Sequence, residues 1–415
     1  MPSVWPSFQA YLTLFKAFQG AVSARWSGGY SQTNSPLFRF AVAYSDHETL
    51  SQAVVRCAQQ IKGKLGCQPD LCQLLITSRT SSRHGESLRF APSFVQECFS
   101  QREVKPPAII GGVVESLLSS PEQQSTSQEY GVSLLAASLP EVNIHPFHST
   151  STSLPDLGTT AWQQLLVPPG QGRPGDNAVG LLMSEPHFSA VDELLHRLHG
   201  AMPWLSMVGG VGHAPAWGEK SLRGALFLNN RVYDSGAVGV LMSGPLQIDA
   251  VVAPGCRAVG QAQTVTHVVA DGYIHTLNGQ PAIQQVFEMT KAAAPNLPRL
   301  ELFFGVDPSG AGHAFSYSMQ SIDQLRAQLQ RIIGQLPEGA LKEDPQQLCG
   351  MLFSCAGISH ADAEILAELL PAIPCQGGKF QGEAGPAAGK MGSSMHQYSS
   401  SFGLLRHSSL QAAMA

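Results

Sequence analysis

A cysteine turn near the C-terminus is the first part of the chain whose residue types could do chemistry. Residues 352–357 read Leu-Phe-Ser-Cys-Ala-Gly, so an apolar strand runs into Ser354 and Cys355 and then into Gly357. Because glycine has no Cβ, the backbone can approach a small molecule closely here, and the thiol of Cys355 can face it. The alternative is a buried, inert thiol. No cation lies within this motif, so we do not expect a reactive thiolate.

A glycine-rich turn with one carboxylate follows at residues 377–386, which read Gly-Gly-Lys-Phe-Gln-Gly-Glu-Ala-Gly-Pro. Glu383 lies between Gly382 and Gly385, and glycine on both sides allows close backbone approach. The carboxylate could accept hydrogen bonds from a ligand amine or hydroxyl. It could equally cap the backbone N–H groups of a structural turn.

These two turns resemble the end of the C-terminal FIST domain, whose members show a Phe-Ser-Cys-x-Gly-Arg-Gly-like turn and then a Gly-Glu-x-Gly-Pro turn. Further similar segments lie upstream in the family order, at residues 235–244, 254–260 and 276–282. Weaker similarities to the N-terminal FIST domain lie at residues 109–112 and 207–212. The resemblance covers residues 38–406.

The resemblance implies a module that binds or senses a small ligand without catalysis, as found alone, in bacterial signalling proteins and in eukaryotic F-box proteins. The ligand it implies is a small polar metabolite, such as an amino acid or a derivative, with no cofactor and no metal. The residues expected to bind that ligand are Gly209, Gly210, Cys256, Arg257, Ser354, Cys355, Gly357, Gly382, Glu383 and Gly385.

The chain departs from the family pattern directly after the cysteine turn. Family members commonly have arginine and glycine where this chain has Ile358 and Ser359. Loss of a guanidinium removes a bidentate clamp for a carboxylate, so an acidic ligand group is not expected here. Arg257 could supply the missing charge, or it could be an ordinary solvated arginine on a turn.

Two other functions stay open. A protein-interaction adaptor of ubiquitin ligases would fit the F-box relatives, although nothing before Phe38 matches an F-box. A cysteine-dependent hydrolase would need a base within hydrogen-bond distance of Cys355, and His360, His396 and Glu383 are the residue types that could serve.

The composition limits the class of protein. Only 13% of the 415 residues are charged and the formal net charge is −5, so no basic face for nucleic acid or an anionic membrane is expected. The eight cysteines form no C-x-x-C pair, which argues against a zinc ribbon and favours reduced thiols in an intracellular compartment. No segment has the roughly 18 consecutive apolar residues of a membrane helix.

The N-terminal stretch, residues 1–37, has two interpretations. It contains lysine, arginine and several serines, and the first acidic residue of the chain is Asp46. An apolar set near helical spacing consists of Phe8, Leu12, Phe15, Phe18 and Val22. The pattern is typical of a chloroplast or mitochondrial transit peptide, and the alternative is an N-terminal helix of a cytoplasmic protein.

Alternating apolar strands and amphipathic helices predict an α+β fold, with two mixed-sheet domains, helices packed on the sheets and glycine-rich turns at a pocket. The predicted domains are 38–230 (FIST N-terminal) and 231–406 (FIST C-terminal), with a tail at 407–415. Polar loops are expected at residues 117–129 and 145–176.

Two short internal similarities hint at structurally related halves. Residues 178–184 are similar to 237–243, and a Gly-Gly-Val turn occurs at both 111–113 and 209–211. Chance reuse of short strand patterns explains them equally well, because no longer period emerges.

Overall fold

Mixed β-sheets with helices on their outer faces make up the computed structural model, which confirms the predicted α+β class. The residues that it describes are 37–83, 85–100, 104–118, 127–128, 130–154, 178–213, 225–254, 256–258, 263–269, 274–293, 302–306, 311–317, 320–337, 341, 344–357, 361–386 and 392–410. The predicted transit peptide or N-terminal helix therefore lies outside the described residues, apart from its last residue.

The strands have the following bounds: β1 (Arg39–Ser45), β2 (Leu71–Thr77), β3 (Ala108–Val114), β4 (Leu117–Leu118), β5 (Ser127–Gln128), β6 (Val132–Ser138), β7 (Asn143–Ser149), β8 (Ala178–Ser184), β9 (Leu205–Val211), β10 (Leu226–Leu228), β11 (Arg231–Tyr233), β12 (Ala237–Ser243), β13 (Leu246–Pro254), β14 (Cys256–Ala258), β15 (Gln263–Val268), β16 (Ile274–Leu277), β17 (Gln280–Pro281), β18 (Leu302–Val306), β19 (Ala311–Tyr317), β20 (Leu348–Cys355), β21 (Cys375–Phe380), β22 (Gly382–Pro386), β23 (Ser393–His396) and β24 (Ser399–His407).

The helices have the following bounds: α1 (Leu50–Leu65), α2 (Ser78–Arg83), α3 (Gly85–Leu88), α4 (Ala91–Phe99), α5 (Val191–Ala201), α6 (Ala282–Ala293), α7 (Gln320–Gly334) and α8 (Ala361–Leu369), with one 3-10 turn at Pro345–Gln347. The apolar spacing explains their orientation, since Leu50, Val54 and Ile61 of α1 are all buried, as the 3.6-residue period predicts.

Three structural repeats follow one another along the chain: repeat 1 (39–138), repeat 2 (143–243) and repeat 3 (246–407). Each contributes four strands in the same spatial order, which is β1-β6-β2-β3, β7-β12-β8-β9 and β13-β24-β20-β21. Counted along the chain, the second and third strands of each repeat are parallel, and the fourth strand is antiparallel to the second. The third strands are therefore β3, β9 and β21. The common order shows that the three repeats share one topology.

Each repeat also gives a hairpin to the sheet of another repeat. The hairpin β10–β11 of repeat 2 extends the sheet of repeat 1 at β3. The hairpin β22–β23 of repeat 3 pairs with β9, and the hairpin β4–β5 of repeat 1 pairs with β21. The exchange is cyclic, so all three sheets contain strands from two repeats.

A ring of three backbone hydrogen bonds joins the third strands where they end. The amide of Glu115 donates to the carbonyl oxygen of Lys379 at 2.9 Å. The amide of His213 donates to Val113 O at 2.8 Å, and that of Gln381 donates to Val211 O at 2.9 Å. The donors and the acceptors occupy equivalent positions in the three repeats, and the ring therefore fixes the third strands against one another.

One apolar core is shared by all three repeats. Phe40 and Leu75 of repeat 1, Met183 of repeat 2, and Phe353 and Phe380 of repeat 3 belong to the same buried cluster. The opposite face of the repeat-3 sheet packs against α7 and α8, and that of the repeat-2 sheet packs against α5. Strands buried on both faces explain why β2, β8, β12 and β20 are almost continuously apolar.

The insertion between β13 and β20 forms a fourth sheet, with strand order β14-β19-β15-β16-β17 and β18 paired to β19. The predicted domain boundary near residue 230 stays a prediction. Strands from both sides of it share sheets, since β22 from the C-terminal part pairs with β9.

Several local expectations need correction. The loop predicted from residue 145 is wrong for residues 145–149, which complete β7. The insertion predicted at 117–129 contributes the short strands β4 and β5, because these residues pair across to another repeat. The similar segments 178–184 and 237–243 are β8 and β12, which are antiparallel neighbours within one repeat and not equivalent strands of two halves.

Paired glycines in the third strands allow the close approach of neighbouring strands. A Cβ on Gly209 would lie 2.0 Å from the carbonyl oxygen of Leu182 on β8, and one on Gly111 would lie 1.9 Å from Leu74 O on β2. We therefore expect Gly209→Ala to lower the free energy of unfolding by about 3 kcal/mol, because backbone must shift to accommodate the methyl group.

The matched control for this prediction is Gly63→Ala on α1, where nothing lies within 4 Å of the new Cβ. That change should stabilise the protein by about 0.5–1 kcal/mol, since alanine favours helix. Urea unfolding of the two variants measures both effects. Equal effects of the two substitutions would contradict the close strand packing at Gly209.

Candidate functional site

Strand pairing places the cysteine turn and the glycine-glutamate turn side by side. Strand β20 is parallel to β21, with Ser354 opposite Lys379. Strand β22 follows β21 directly and pairs with β9, which puts Glu383 opposite Gly210. The thiol of Cys355 is close enough to the Glu383 carboxyl to change its pKa. The site therefore forms where the sheet of repeat 3 meets the sheet of repeat 2.

The carboxyl of Glu383 is fully buried and only partly satisfied. Its Oε2 accepts a hydrogen bond from the Ser399 hydroxyl at 2.6 Å. Its Oε1 has no hydrogen-bond partner among the described residues. Burial raises the pKa of Glu383 to about 8, while the Ser399 hydroxyl, the Cys355 thiol and Lys379 act to lower it. At neutral pH the free site therefore holds this carboxyl mostly protonated.

The thiol of Cys355 is 6% exposed and is held by main-chain groups. Backbone N–H groups of Gly357 and Tyr398 donate to its sulfur, which acts to lower the thiol pKa. Burial acts the other way and is the largest effect, and the Glu383 carboxylate adds to it, so the pKa of Cys355 is raised. The group is therefore a neutral thiol, which matches the expectation that no reactive thiolate forms.

A buried ionic network lies directly behind this pair. Lys379 Nζ donates to Ser354 Oγ at 2.8 Å and lies 3.7 Å from Asp362 Oδ2. The same carboxylate accepts hydrogen bonds from the hydroxyls of Ser354 and Ser400, the latter at 2.7 Å. Because the side chains of Lys379 and Asp362 are 1% and 3% exposed, this ion pair is shielded from water.

The charge on Lys379 reflects opposing influences. Burial lowers the pKa of its ammonium group, while Asp362, Cys355 and Glu383 act to raise it. Asp362 stands at the start of α8, while its hydroxyl partners stand on β20 and β24. The network therefore ties the helix after the cysteine turn to the two strands beneath it.

A tyrosine with an unusual backbone conformation stands at the edge of the site. Tyr398 has φ of 51°, in the left-handed region that non-glycine residues rarely adopt. A Cβ on Gly357 would lie 3.0 Å from the Tyr398 ring and 3.8 Å from Cys355 Sγ. Glycine at position 357 therefore lets the Tyr398 ring pack closely over the cysteine turn.

Other glycines of the site give space to neighbouring side chains. A Cβ on Gly210 would lie 2.5 Å from the Phe380 ring, and one on Gly385 would lie 2.6 Å from Ser401 Oγ. A Cβ on Gly382 would lie 3.3 Å from the nearest atom. The glycines at 210 and 385 thus have packing roles, whether or not their backbone also faces a ligand.

The structure brings together most of the residues predicted from the sequence. Those of the predicted set that come together are Gly209, Gly210, Ser354, Cys355, Gly357, Gly382, Glu383 and Gly385. Ser354 is fully buried behind Cys355, so it supports the turn from within. Cys256 and Arg257 have a described backbone in β14, paired with β19, but their side chains lie outside the described residues, as do Ile358 and Ser359.

Sequence reasoning missed the charged members of the network. It found no cation within the cysteine motif, whereas the parallel pairing of β20 and β21 places Lys379 beside Ser354. A lysine inside a buried, glycine-rich strand was the available signal. Asp362, Ser399 and Ser400 gave no such signal, because polar residues at element starts are common.

His396 is directed at main-chain oxygens. Its Nε2 lies 3.1 Å from Pro386 O and 3.4 Å from Gly385 O, and burial lowers its pKa. His360 lies outside the described residues.

Within the described part of the chain, no three His, Cys, Asp or Glu side chains are grouped so as to hold a metal ion. None of the described helices is long and apolar enough to span a membrane.

Comparison with known families gives a match over part of the chain. Residues 100–280 match the model of the FIST N domain. FIST domains are small-ligand sensory domains. The similarity of the C-terminal part to the C-terminal FIST domain stays a prediction.

Similar proteins are found in mycobacteria. An uncharacterized protein of Mycobacterium tuberculosis is 25% identical over 406 residues, which cover 88% of this chain and 99% of that protein. An uncharacterized protein of Mycobacterium bovis is 24% identical over 394 residues, covering 85% and 95%. A cyanuric acid hydrolase from A. caulinodans matches 57% of this chain and 84% of its own at 11% identity and a TM-score of 0.26, which is too low to bear on fold or function.

Glu383→Gln should change how stability depends on pH. In the folded protein the carboxyl keeps its proton up to about pH 8, whereas the unfolded chain releases it near the ordinary value of 4.5. The contribution of Glu383 to the free energy of unfolding is therefore fully present below pH 4.5 and is lost as pH rises through 8. As pH rises from 5 to 9, the free energy of unfolding of the variant should increase by a few kcal/mol relative to that of wild type. One unit of pKa shift corresponds to about 1.36 kcal/mol.

Urea unfolding at several pH values measures this gain. The matched control is Glu364→Gln on the exposed side of α8, which should follow the wild-type curve. If the unfolding free energies of Glu383→Gln and wild type changed in parallel across this pH range, a protonated carboxyl at Glu383 would be ruled out.

Lys379→Met should destabilise the protein by about 3–5 kcal/mol, because Asp362 is left buried without its positive partner. The comparison is Arg326→Met, which breaks an exposed ion pair with Glu368 and should cost at most about 1 kcal/mol. Chemical denaturation of both variants distinguishes the two pairs. Similar small losses would show that the Lys379 network contributes little to the fold.

Proposed function

We propose that this protein binds a small polar metabolite, such as an amino acid derivative, against Cys355 and Glu383, and that it senses this ligand without catalysis. The observation that carries the proposal is the fully buried Oε1 of Glu383, which has no hydrogen-bond partner among the described residues. A buried polar atom left unpaired costs about 1–3 kcal/mol. A ligand that pairs with this atom would recover that cost.

The neighbouring carboxylate supports the same conclusion by contrast. Asp362 is buried to a similar degree, and it accepts hydrogen bonds from Ser354 and Ser400 and pairs with Lys379. The fold therefore gives Oδ2 of Asp362 three partners and leaves Oε1 of Glu383 without one among the described residues. Small-molecule sites use a small number of placed polar groups to orient the ligand, and an incomplete acceptor beside glycine-rich backbone can serve as one of them.

Binding is favoured over catalysis by the state of the possible nucleophiles. Burial and the Glu383 carboxylate raise the pKa of Cys355, which disfavours the thiolate that cysteine catalysis needs. Ser354 is inaccessible, and its hydroxyl is engaged with Asp362. These features disfavour the cysteine-dependent hydrolase as the function of this site.

Signalling would follow from the position of the site between repeats. Glu383 is on β22, which belongs to repeat 3 but completes the sheet of repeat 2, and Cys355 is on β20 in the repeat-3 sheet. A ligand that contacts both residues favours one placement of the exchanged hairpin over others. A protein partner that binds only one placement of the hairpin would then transmit the signal.

A thermal-shift screen tests the proposal. Amino acids, amines, nucleotides and organic acids are screened against the full chain and against the Glu383→Gln and Glu364→Gln variants. A ligand at about 100 times its dissociation constant stabilises by about 2.7 kcal/mol, which shifts the midpoint by several degrees. The shift should be lost in Glu383→Gln and kept in Glu364→Gln. A ligand whose shift is equal in all three proteins binds elsewhere and contradicts the proposal.

A further inference from the structure

We propose that the group recognised by Glu383 is an organic ammonium, carried by a ligand that presents no carboxylate at that end. This inference rests on the proposed function, because it names the chemical class of the ligand at the same site. It comes from the hydrogen bonds around Glu383, which leave one oxygen of a buried carboxyl without a partner among the described residues.

The described charges around Glu383 pair with one another, and its own carboxyl is mostly protonated in the free protein. Lys379 on β21 is the cation whose charge acts on Glu383, and it pairs with Asp362 on α8 at 3.7 Å. The thiol of Cys355 on β20 is neutral, because burial raises its pKa. His396 on β23, opposite Glu383, has a pKa lowered by burial and is neutral at pH 7. A bound ammonium would favour ionisation of Glu383 and pair with the carboxylate that results, whereas a bound carboxylate would disfavour that ionisation and gain no ion pair.

The geometry of the carboxyl also suits an ammonium donor. Ser399 Oγ already donates to Oε2, so the free Oε1 is available as a second, separate acceptor. An alkylammonium has three N–H donors and no acceptor, and it can therefore use this atom fully. Hydrogen bonds between charged groups are about twice as strong as those between neutral groups.

An aromatic ring packs beside the cysteine turn. Tyr398 precedes Ser399, its backbone N–H donates to Cys355 Sγ, and its ring packs against the backbone of Gly357. Its left-handed backbone conformation is the kind of local strain that is retained where the surrounding structure requires it. The π-face of an aromatic ring attracts a cation, so a ligand that also reaches this ring would gain from carrying a positive charge.

The inference has a measurable consequence in proton linkage. The free carboxyl has a pKa of about 8, and a bound ammonium stabilises its ionised form. Binding an ammonium at pH 7 therefore releases a proton. Alkylammonium groups keep their charge below about pH 10, so affinity should rise about tenfold per pH unit up to pH 8 and then level off.

Three probes with one carbon skeleton test the class of ligand: n-butylamine, 1-butanol and butyrate. Calorimetry with the full chain at pH 6, 7 and 8.5, in buffers of different ionisation heat, measures affinity and proton release. We expect n-butylamine to bind about tenfold more tightly at pH 7 than at pH 6 with release of a proton, and the other two probes to bind at least tenfold more weakly. The Glu383→Gln variant should lose the amine affinity at least tenfold, and Glu364→Gln should keep it.

The outcomes separate this inference from the proposed function. Glu383-dependent binding of 1-butanol or butyrate but not of n-butylamine would overturn the ammonium assignment and leave the ligand site intact. Amine binding without any pH dependence in the wild-type protein would also overturn it, and this measurement requires no variant to fold. If no ligand of the earlier screen or of this set depended on Glu383, the proposed function itself would fail.

Discussion

The cyclic set of backbone hydrogen bonds between the three third strands is the constraint on which the rest of the structure depends. Its three donors, the amides of residues 115, 213 and 381, reach the carbonyl oxygens of residues 379, 113 and 211 in another repeat. These bonds can form only if the repeats approach closely, and Gly112 and Gly210 leave room for the side chains of Met183 and Phe380 from another repeat. The shared core and the exchange of hairpins both follow from this close meeting of strands.

The candidate site is a local consequence of that meeting. The chain leaves β21 after Phe380, crosses to the repeat-2 sheet and there forms β22, so the carboxyl of Glu383 is buried between two sheets. Burial in such a place raises the pKa of a carboxyl, and only the partners available locally can offset it. Ser399 satisfies one oxygen, and no described residue satisfies the other. In the other two repeats the positions opposite the second glycine are Leu226 and Leu117, so this feature is specific to repeat 3.

The buried ion pair of Lys379 and Asp362 gives repeat 3 a further distinction. At the position of Lys379 the other repeats have Val113 and Val211, both in apolar or glycine-rich strands. A buried ion pair is not in itself a strong source of stability. Its effect here is to hold the start of α8 against β20 and β24, directly behind the thiol of Cys355.

The sequence by itself determined the local elements and most of the residues at the site. The apolar runs and helical spacing predicted alternating strands and helices in an α+β fold, because burial of one face or both imposes a period on the sequence. The glycine-flanked turns around Cys355 and Glu383 were visible for a similar reason, since close backbone approach requires glycine. These are properties of neighbouring residues, which a single sequence records directly.

Only the tertiary structure decided the threefold order, the exchanged hairpins and the charged partners of the site. Leu117–Leu118 forms a strand because it pairs with residues about 260 positions further along the chain, and no local pattern specifies such a pairing. Lys379 and Asp362 meet because a parallel strand pair and a crossover helix bring them together. Long-range pairings of this kind depend on how the whole chain packs, and the unpartnered oxygen of Glu383 becomes apparent only once that packing is known.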